Sequence, residues 1–458
     1  MVRRETDSLG TVEVSDDAHW GAQTQRSIAN FPVGVEPMPI EIIHALARVK
    51  QAAAILHGRA GRMPKDKADA IAAAAAAVAE GRHDEQFPLR IWQTGSGTQT
   101  NMNLNEVIAS LANEQLTGRR GGKSPVHPND DVNRAQSSND SFPTAMHVAT
   151  LLLARRRLLP ALAMLREVLR NKAQQFAGIV TIGRTHLMDA TPLRLGDAIG
   201  AFATMVEGGI SRLEQLLPEV ARLAQGGTAV GTGLNAPEGW AADMAAELSR
   251  LTGETFSPAP DRFEALATHD TLVTFSGALN GLAVSLFKIA SDIRLLASGP
   301  RAGLGELILP ANEPGSSIMP GKINPTQCEM LTMVAARVIG NHACVSFSGA
   351  TGQLQLNVMK PVIADAVLQS IRLLADGAES FATRCVAGME ADRGRIAELV
   401  ERSLMLVTAL VPAIGYDRAA EVAKLAHREG LTLAQAADRL GYLAEDTARD
   451  LLDPERMA

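Results

Sequence analysis

The chain contains 458 residues, more than one ordinary hydrophobic core accommodates, so about two to four domains are expected. Its formal net charge is −6 and its Lys and Arg residues are scattered, which argues against a nucleic-acid partner. Its 3 cysteines fit no disulfide framework or CxxC spacing, and neither a secretory signal nor a membrane-length apolar run is recognised, so a cytoplasmic protein without a membrane partner is expected.

The N-terminal third alternates between broken and helical segments. Residues 1–35 and 84–142 are interrupted by Gly, Pro, Asn and Ser, which predicts short elements joined by loops. Between them, the alanine run after Asp69 predicts a helix of high intrinsic propensity.

The central part of the chain has the strongest helical periodicity. From Leu272 to Leu296 the apolar residues alternate in steps of three and four, the pattern of a long helix in a bundle. Weaker versions of this pattern occur over 158–169, 202–217 and 363–374. Together they predict at least four long helices between residues 140 and 380.

The C-terminal region, residues 387–458, predicts a charged tail of short helices with stops at Gly430 and Gly441. Strands are expected to be few. The predicted fold is therefore all-α, with a central long-helix bundle and two smaller flanking regions. Because long apolar seams are often buried between subunits, a homo-oligomer is expected.

Four polar segments lie between the predicted helices. They are GSGTQTNMN from Gly95, HPNDDVNRAQSSND from His127, GRTHLMDATP from Gly183 and GSSIMPGKINPTQCE from Gly315. Their hydroxyls, amides and free backbone N–H groups are suited to bind both ends of a small dicarboxylate. For GSGTQTNMN and for SSND, a capping turn at a helix N-terminus is an equally good interpretation. A lone histidine such as His186 is more often structural.

Nucleotide and metal sites fit the sequence less well. GSG at 95–97 lacks the third glycine of a dinucleotide fingerprint. For the GGKS segment at 121–124, Thr117 occupies the position where the P-loop motif needs its first glycine. The N-terminal histidines have no second ligand at helical spacing, so no zinc site is predicted.

The segment from Gly315 has the features of a lid. Pro320 and Pro325 forbid a continuous helix, while Gly315 and Gly321 permit tight turns and motion. The segment is therefore predicted to close over a ligand and to present backbone N–H groups to it.

These segments resemble class II fumarases of the fumarase and aspartase superfamily, in the same order and over nearly the whole chain. The resemblance also includes RRETDSLGTVEVSDDAHWGAQTQRS near the N-terminus and the GSSIMPGKINP signature. It implies three mainly helical domains at residues 1–137, 138–361 and 362–458. It also implies a homotetramer in which SSND, GRTH and GSSIMPGK from different subunits form each active site.

The implied reaction is the reversible hydration of fumarate to L-malate, a step of the tricarboxylic acid cycle. Moving a proton at a carbon beside a carboxylate passes through a carbanion, so extra negative charge must be stabilised. By similarity, Ser316 is the base at carbon, and it must act as an oxyanion held by Lys322 and backbone donors. Ser317 and Asn324 supply further donors.

On the opposite face of the substrate, His186 resembles the residue that activates water or protonates the leaving hydroxyl, with Glu329 as its carboxylate partner. The resemblance assigns the substrate carboxylates to a set of small polar residues and one glycine: Ser96, Gly97, Thr98, Asn101, Ser137, Ser138, Asn139 and Thr185. No metal or organic cofactor is implied.

The superfamily also has a second dicarboxylate site around the HPND segment, here His127, Asn129 and Asp130. Its members often carry a basic residue just upstream of this segment. This chain has Ser124 and Pro125 there, a departure that weakens the prediction of a second site.

Two alternatives stay open at this point. An aspartase-type ammonia-lyase shares the fold and the serine loop, but that branch usually has Gln in place of His186 and lacks TQCE after the NP of the signature. A non-enzymatic structural protein on the same scaffold is the other alternative, because fold does not fix function. Such a protein has no reason to keep Ser316, Lys322 and Glu329 together with the histidine.

Overall fold

The computed structural model describes all residues from Met1 to Ala458, and most of them lie in helices. The helices are α1 (Ala22–Asn30), α2 (Ile40–Arg59), α3 (Lys65–Ala79), α4 (Thr98–Thr117), α5 (Ser138–Leu153), α6 (Leu159–Gln175), α7 (Leu195–Val220), α8 (Trp240–Thr252), α9 (Arg262–Ala267), α10 (Asp270–Leu296), α11 (Thr326–Ala350), α12 (Lys360–Phe381), α13 (Arg393–Arg402), α14 (Val411–Ile414), α15 (Tyr416–Glu429), α16 (Leu433–Arg439) and α17 (Glu445–Leu451).

The strands are few and short, as predicted, and they pair two by two. They are β1 (Val2–Asp7), β2 (Gly10–Ser15), β3 (Val180–Thr185), β4 (Met188–Arg194), β5 (Arg222–Leu223), β6 (Ser257–Pro258), β7 (Leu307–Ile308) and β8 (Glu390–Ala391). The pairs β1–β2 and β3–β4 are antiparallel hairpins, and in the second hairpin Thr185 lies opposite Met188. A bulge between Ile182 and Arg184 shifts the register of that hairpin.

The apolar periodicity predicted the long helices of the central region correctly. The seam from Leu272 to Ile293 lies on α10, and every apolar residue of that seam is fully buried. The weaker patterns belong to α6, α7 and α12, and the alanine run forms α3. Helix α15 ends one residue before Gly430, which adopts a left-handed conformation at the helix C-terminus. The all-α prediction is therefore confirmed.

Helices α4 and α11 lie outside the predicted set. Within 84–142 the prediction of short elements was wrong, because α4 runs for 20 residues there. This helix buries Asn101, Asn103 and Asn105 beside its apolar residues, so it has no clean apolar stripe. Helix α11 follows the predicted lid directly, and much of its apolar surface is exposed in the single chain.

Helices α10 and α11 are long and apolar enough to span a membrane by length and composition alone. A core helix of a soluble protein meets the same criterion. The buried seam of α10 shows that at least this helix contributes to the protein interior.

The chain divides into two compact units. The first comprises Met1–Pro160, Gly209–Ala283 and Ala335–Ala375, and the second comprises Ala161–Gly208, Val284–Val334 and Asp376–Ala458. In the first unit, α2 packs against α3, α5 and α8. In the second unit, α13 packs against β3, and the C-terminal helices enclose a small apolar core of their own. The predicted domain boundaries, at 137/138 and 361/362, stay a prediction.

Candidate active site

The first polar segment forms a tight turn at the N-terminus of α4. Gly97 has a φ of +75°, and a Cβ atom there would collide with the ring of Phe142. A Cβ atom on Gly95 would overlap the main-chain oxygen of Val358. The residue before the helix is a glycine and cannot cap it, but the side-chain oxygen of Gln93 accepts a hydrogen bond from the main-chain nitrogen of Thr100 at 3.0 Å. The helix end is therefore capped in part, by a residue outside the GSGTQTNMN segment. The N–H groups of Thr98 and Gln99, the first two residues of the helix, are the ones left for an anion.

The side chains at this helix end are held close to one another. The hydroxyl oxygens of Ser96 and Thr98 are 2.9 Å apart, and Ser96 is almost buried. Asn101 is fully buried, and its side-chain nitrogen donates to the hydroxyl oxygen of Ser138 at 3.2 Å. The structure thus places Asn101 of the first polar segment beside Ser138 of the second.

The SSND turn caps helix α5. Ser137 accepts a hydrogen bond from the main-chain nitrogen of Asn139, and Asp140 accepts one from the main-chain nitrogen of Ser137. The capping interpretation is therefore correct for Ser137, whose oxygen serves the helix. The oxygen of Ser138 instead contacts Asn101, and the side-chain amide of Asn139 donates to the main-chain oxygen of Ala229 at 2.8 Å.

Asp140 links this turn to a glycine-rich loop, 225–233, that the sequence prediction missed. Its carboxylate accepts hydrogen bonds from the main-chain nitrogens of Gly226 at 3.0 Å and Thr228 at 2.9 Å. Complete burial raises the pKa of Asp140 to about 6. Thr228 has a φ of +54°, a strained conformation for a β-branched residue. The repeated glycines of QGGTAVGTG were the available signal in the sequence.

The HPND segment forms a turn capped by its own histidine. The Nδ1 atom of His127 accepts hydrogen bonds from the main-chain nitrogens of Asn129 and Asp130, each at 3.1 Å. The main-chain nitrogen of His127 donates to Asp131 at 2.8 Å. These two N–H groups already have a partner, so they are not free to bind a second dicarboxylate. The second site stays a prediction.

The GRTH segment ends the β3 strand and turns into β4. His186 and Leu187 are the two turn residues, and their φ angles are +56° and +62°. This left-handed conformation costs about 1–2 kcal/mol for each residue with a side chain. Thr185 and His186 are both exposed in the single chain. Positive φ at both central residues is the usual geometry of a two-residue hairpin turn, which favours Asn and Gly, so His and Leu are uncommon residues at these two positions.

A buried ion pair anchors the base of this hairpin. The guanidinium of Arg184 lies 2.5 Å from the carboxylate of Glu306, which has no exposed surface. Thr181 donates a second hydrogen bond to the same carboxylate at 3.2 Å. Because breaking a buried pair on one side leaves an unpaired charge, Arg184 and Glu306 fix the position of the hairpin. The sequence prediction did not identify either residue.

The lid lies between β7 and α11, and its own hydrogen bonds give it a defined shape. The main-chain nitrogen of Gly315 donates to the oxygen of Lys322 at 2.9 Å, so the loop closes on itself. The hydroxyl oxygen of Ser316 accepts two hydrogen bonds, from the main-chain nitrogens of Ile318 at 3.2 Å and Met319 at 3.0 Å. Negative charge on this oxygen would therefore meet two donors already in place.

Lys322 and Asn324 form the other polar pair of the lid. The ammonium of Lys322 donates to the side-chain oxygen of Asn324 at 2.8 Å, and the amide of Asn324 donates to Gly315 at 2.6 Å. The expected contact of Lys322 with Ser316 is not made, because Asn324 holds the ammonium. Ser317 is exposed beside them.

The predicted residues fall in both compact units. Ser96, Gly97, Thr98, Asn101, Ser137, Ser138 and Asn139 belong to the first unit, and Thr185, His186, Ser316, Ser317, Lys322, Asn324 and Glu329 belong to the second. Within the second unit, His186 and Glu329 form no ion pair in the single chain, although the prediction pairs them. No group of three His, Cys, Asp or Glu side chains has the arrangement of a metal site.

The chain matches known proteins over its full length. Residues 10–340 match the lyase family, and residues 406–458 match the family described as the fumarase C C-terminus. The fold and the polar turns thus define a lyase with a fumarase-type C-terminal region.

Individual relatives give a finer assignment. The chain is 59% identical to the class II fumarate hydratase of Methylorubrum extorquens, over 99% of this chain and 96% of that protein. It is also 59% identical to class II fumarate hydratase 1 of Pseudomonas aeruginosa, over 100% of this chain and 98% of that protein. The crystal structure of the class II fumarase from Schistosoma mansoni superimposes with a TM-score of 0.97 at 43% identity, covering 100% and 99% of the two chains. The chain belongs to the class II fumarate hydratases, the hydro-lyases of the fumarase and aspartase superfamily.

Proposed function

We propose that this chain catalyses the reversible hydration of fumarate to L-malate through a carbanion, with Ser316 as the base at carbon. The relatives that match the whole chain bear the name of this reaction. The observation that carries the mechanism is the pair of backbone N–H groups directed at the oxygen of Ser316. Hydrogen bonds to the charged form favour ionisation, so this arrangement supports a serine oxyanion.

In the dehydration direction, the serine oxyanion removes the proton from the carbon beside one carboxylate. The electron pair of that C–H bond then spreads onto the carboxylate, which becomes more negative. Lys322 supplies a positive charge for this state, and Asn324 keeps the ammonium in place at 2.8 Å. The stabilisation is electrostatic and is present before the reaction begins.

The leaving hydroxyl is handled by His186. In dehydration its imidazolium donates a proton to the departing hydroxide, which leaves as water, and in hydration the neutral ring accepts a proton from the attacking water. Glu329 is the carboxylate that would orient the ring and stabilise its charge. The strained turn of His186 and Leu187 holds the ring at the exposed tip of the hairpin.

The substrate carboxylates are held by the α4 and α5 turns. The helix N-terminus after Gly97 favours an anion, and Ser96, Thr98 and Ser138 offer hydroxyl groups beside it. Thr185 and Asn139 complete the proposed set, with the first beside His186 in the GRTH turn. No metal or organic cofactor takes part in these steps.

The proposed assembly is a homotetramer with active sites shared between chains. In the single chain, only 28% of the most apolar stretch of α11 is buried. Met333 and Phe347 of this helix are 67% and 69% exposed. A partner subunit would cover these side chains and supply Glu329 to the His186 of a neighbouring chain.

The proposed function is tested by adding fumarate to the purified protein in D2O and following the product by proton NMR. We expect L-malate with one deuterium at the methylene carbon, because the proton added there comes from solvent. In the reverse direction, unlabelled malate should yield fumarate. The absence of malate, or a product without carbon-bound deuterium, would contradict the proposal.

A further inference from the structure

Lys50 of helix α2 carries a fully buried ammonium group with no carboxylate bonded to it. Its exposed surface is 0%, and its two hydrogen-bond partners are amide oxygens, those of Asn133 at 2.8 Å and Gln136 at 3.0 Å. Burying a charge that is bonded only to amides is costly, although the carboxylate of Asp140 attracts it. The ammonium lies beside Gln136, the residue immediately before the SSND turn. The proposed mechanism does not yet use this group.

The ammonium determines which way the neighbouring amides face. A lysine ammonium has only donors, so the atom of Asn133 that faces it must be the oxygen. That oxygen also accepts hydrogen bonds from the side-chain nitrogens of Asn101 at 3.1 Å and Asn105 at 3.2 Å. Asn101 must therefore turn its nitrogen toward Asn133, and its buried oxygen has no partner.

The hydrogen-bond direction that Lys50 imposes on Asn133 extends through Asn101 to Ser138, a predicted substrate-binding residue. The same nitrogen of Asn101 donates to the hydroxyl oxygen of Ser138 at 3.2 Å. A serine hydroxyl has one hydrogen, and because its oxygen already accepts from Asn101, this hydrogen remains available to another acceptor. If Asn133 were inverted, the oxygen of Asn101 would face Ser138 and capture that hydrogen.

We propose that Lys50 is a positioning residue that fixes the hydrogen-bond direction from Asn133 through Asn101 to Ser138, so that Ser138 presents its hydroxyl hydrogen to a substrate carboxylate. This inference rests on the proposed function only for the identity of the acceptor. The direction of the hydrogen bonds follows from the contacts alone.

A second link fixes the same turn. The amide nitrogen of Asn133 donates to the main-chain oxygen of Gln136 at 3.2 Å, immediately before Ser137. Lys50 also holds the side chain of Gln136, so one ammonium binds both ends of the segment that leads into α5. The orientation of Asn133 and the position of Ser138 are thus controlled together.

The kinetic test compares Lys50→Met with Lys360→Met below pH 7, where Lys50 carries its proton. Lys360 is the matched control because it is equally buried and its ammonium contacts main-chain oxygens, those of Leu266 and Asn357. In Lys50→Met, we expect the KM for fumarate and for malate to rise about tenfold, the loss of one hydrogen bond to a charged group, with kcat changed less than about threefold. Lys360→Met should leave KM within about twofold of the wild type. An unchanged KM in Lys50→Met, a fall in kcat alone, or an equal rise in KM in both variants would overturn the proposal.

Neutron diffraction from deuterated wild-type crystals tests the direction without any substitution. We expect the two deuterium atoms on the side-chain nitrogen of Asn101 to point at Asn133 and Ser138, and the deuterium of Ser138 to point away from Asn101. A Ser138 deuterium directed at Asn101 would refute the inference even if the protein hydrates fumarate. If the protein does not hydrate fumarate, the proposed function fails while this measurement still decides the direction of the hydrogen bonds from Asn133 to Ser138.

Discussion

The hydroxyl oxygen of Ser316 lies 3.0 Å from the main-chain nitrogen of Met319, which donates a hydrogen bond to it. The nitrogen of Ile318 donates a second one at 3.2 Å. These donors belong to the backbone of the lid, so they remain when the side chain is changed. The serine can therefore be removed without removing the loop geometry around it.

Ser316→Ala should lower kcat by at least about a hundredfold, because the carbon-bound proton then has no acceptor. The thermal unfolding temperature should change little, since the loop lies at the surface and water can bind the two freed N–H groups. Ser8→Ala, which removes an exposed serine from the turn between β1 and β2, is the control and should be silent. Equal losses of activity in both variants would mean that Ser316 is not the base.

The sequence predicted those features that depend on a local residue pattern. It did not predict those that depend on contacts between distant parts of the chain. The seam of α10 was visible because its apolar residues follow helical spacing, whereas α4 was hidden because its buried face includes Asn101 and Asn105. The lid motif identified Ser316 and Lys322. It could not show that Lys322 would bond to Asn324, because side-chain direction depends on the folded loop.

The contributions of Lys50 and Glu306 could not be predicted for a different reason. Lys50 is 83 residues from Asn133 in sequence, and Glu306 is 122 residues from Arg184, so no spacing rule connects them. A buried charge also looks like any surface charge in a sequence. The folded structure is what identifies both as parts of the framework behind the polar turns.

The assembly is tested by Phe347→Asp. The wild type should have a mass of about 194 kDa in light scattering, four times the chain mass of 48.5 kDa. A carboxylate in place of a 69% exposed phenylalanine should dissociate the particle and abolish activity together, since the proposed site needs several chains. Tyr416→Asp, at a side chain with 77% exposure on α15, is the matched control and should stay tetrameric. A fully active monomer would contradict the shared site.

Because Lys50 is buried, its ionisation should make the free energy of unfolding depend on pH. Burial lowers its pKa in the folded chain from 10.5 to about 7. Below pH 7 both folded and unfolded chains carry the proton, and the folded chain bears the cost of the buried charge. Between pH 7 and 10.5 the unfolded chain binds more protons, so the contribution of Lys50 to the free energy of unfolding rises with pH.

Thermal unfolding of Lys50→Met and the wild type across this pH range measures that contribution. The variant lacks the titrating group, so its unfolding temperature should exceed that of the wild type most at pH 7 and the difference should shrink as pH rises. Lys360 has a similarly lowered pKa, about 7, and Lys360→Met should show the same trend. A difference that grows with pH would have the wrong sign and would exclude a buried ammonium at position 50.

Activity should survive exhaustive chelation and exposure to air. The sequence has no clustered cysteine ligands of the kind that hold an iron–sulfur cluster, and the proposed steps use only side chains and backbone donors. We expect unchanged kcat after dialysis against a strong chelator, measured in aerobic buffer. Loss of turnover that iron restores would require a different mechanism.

We expect His186 to determine the identity of the leaving group. Expelling hydroxide from malate needs a proton delivered to a poor leaving group, whereas ammonia leaves as an already protonated amine and needs no such acid. The wild type should therefore hydrate fumarate and release negligible ammonia from aspartate.

His186→Asn should lower kcat for hydration about a hundredfold or more, the usual contribution of a general acid or base. Its KM should change little, because Thr185 and Ser138 still hold the carboxylates. Leu187→Asn, at the other strained position of the same turn, controls for the backbone conformation and should retain most activity. Efficient deamination of aspartate by the wild type, or full hydratase activity in His186→Asn, would mean that the exposed imidazole does not act on the leaving group.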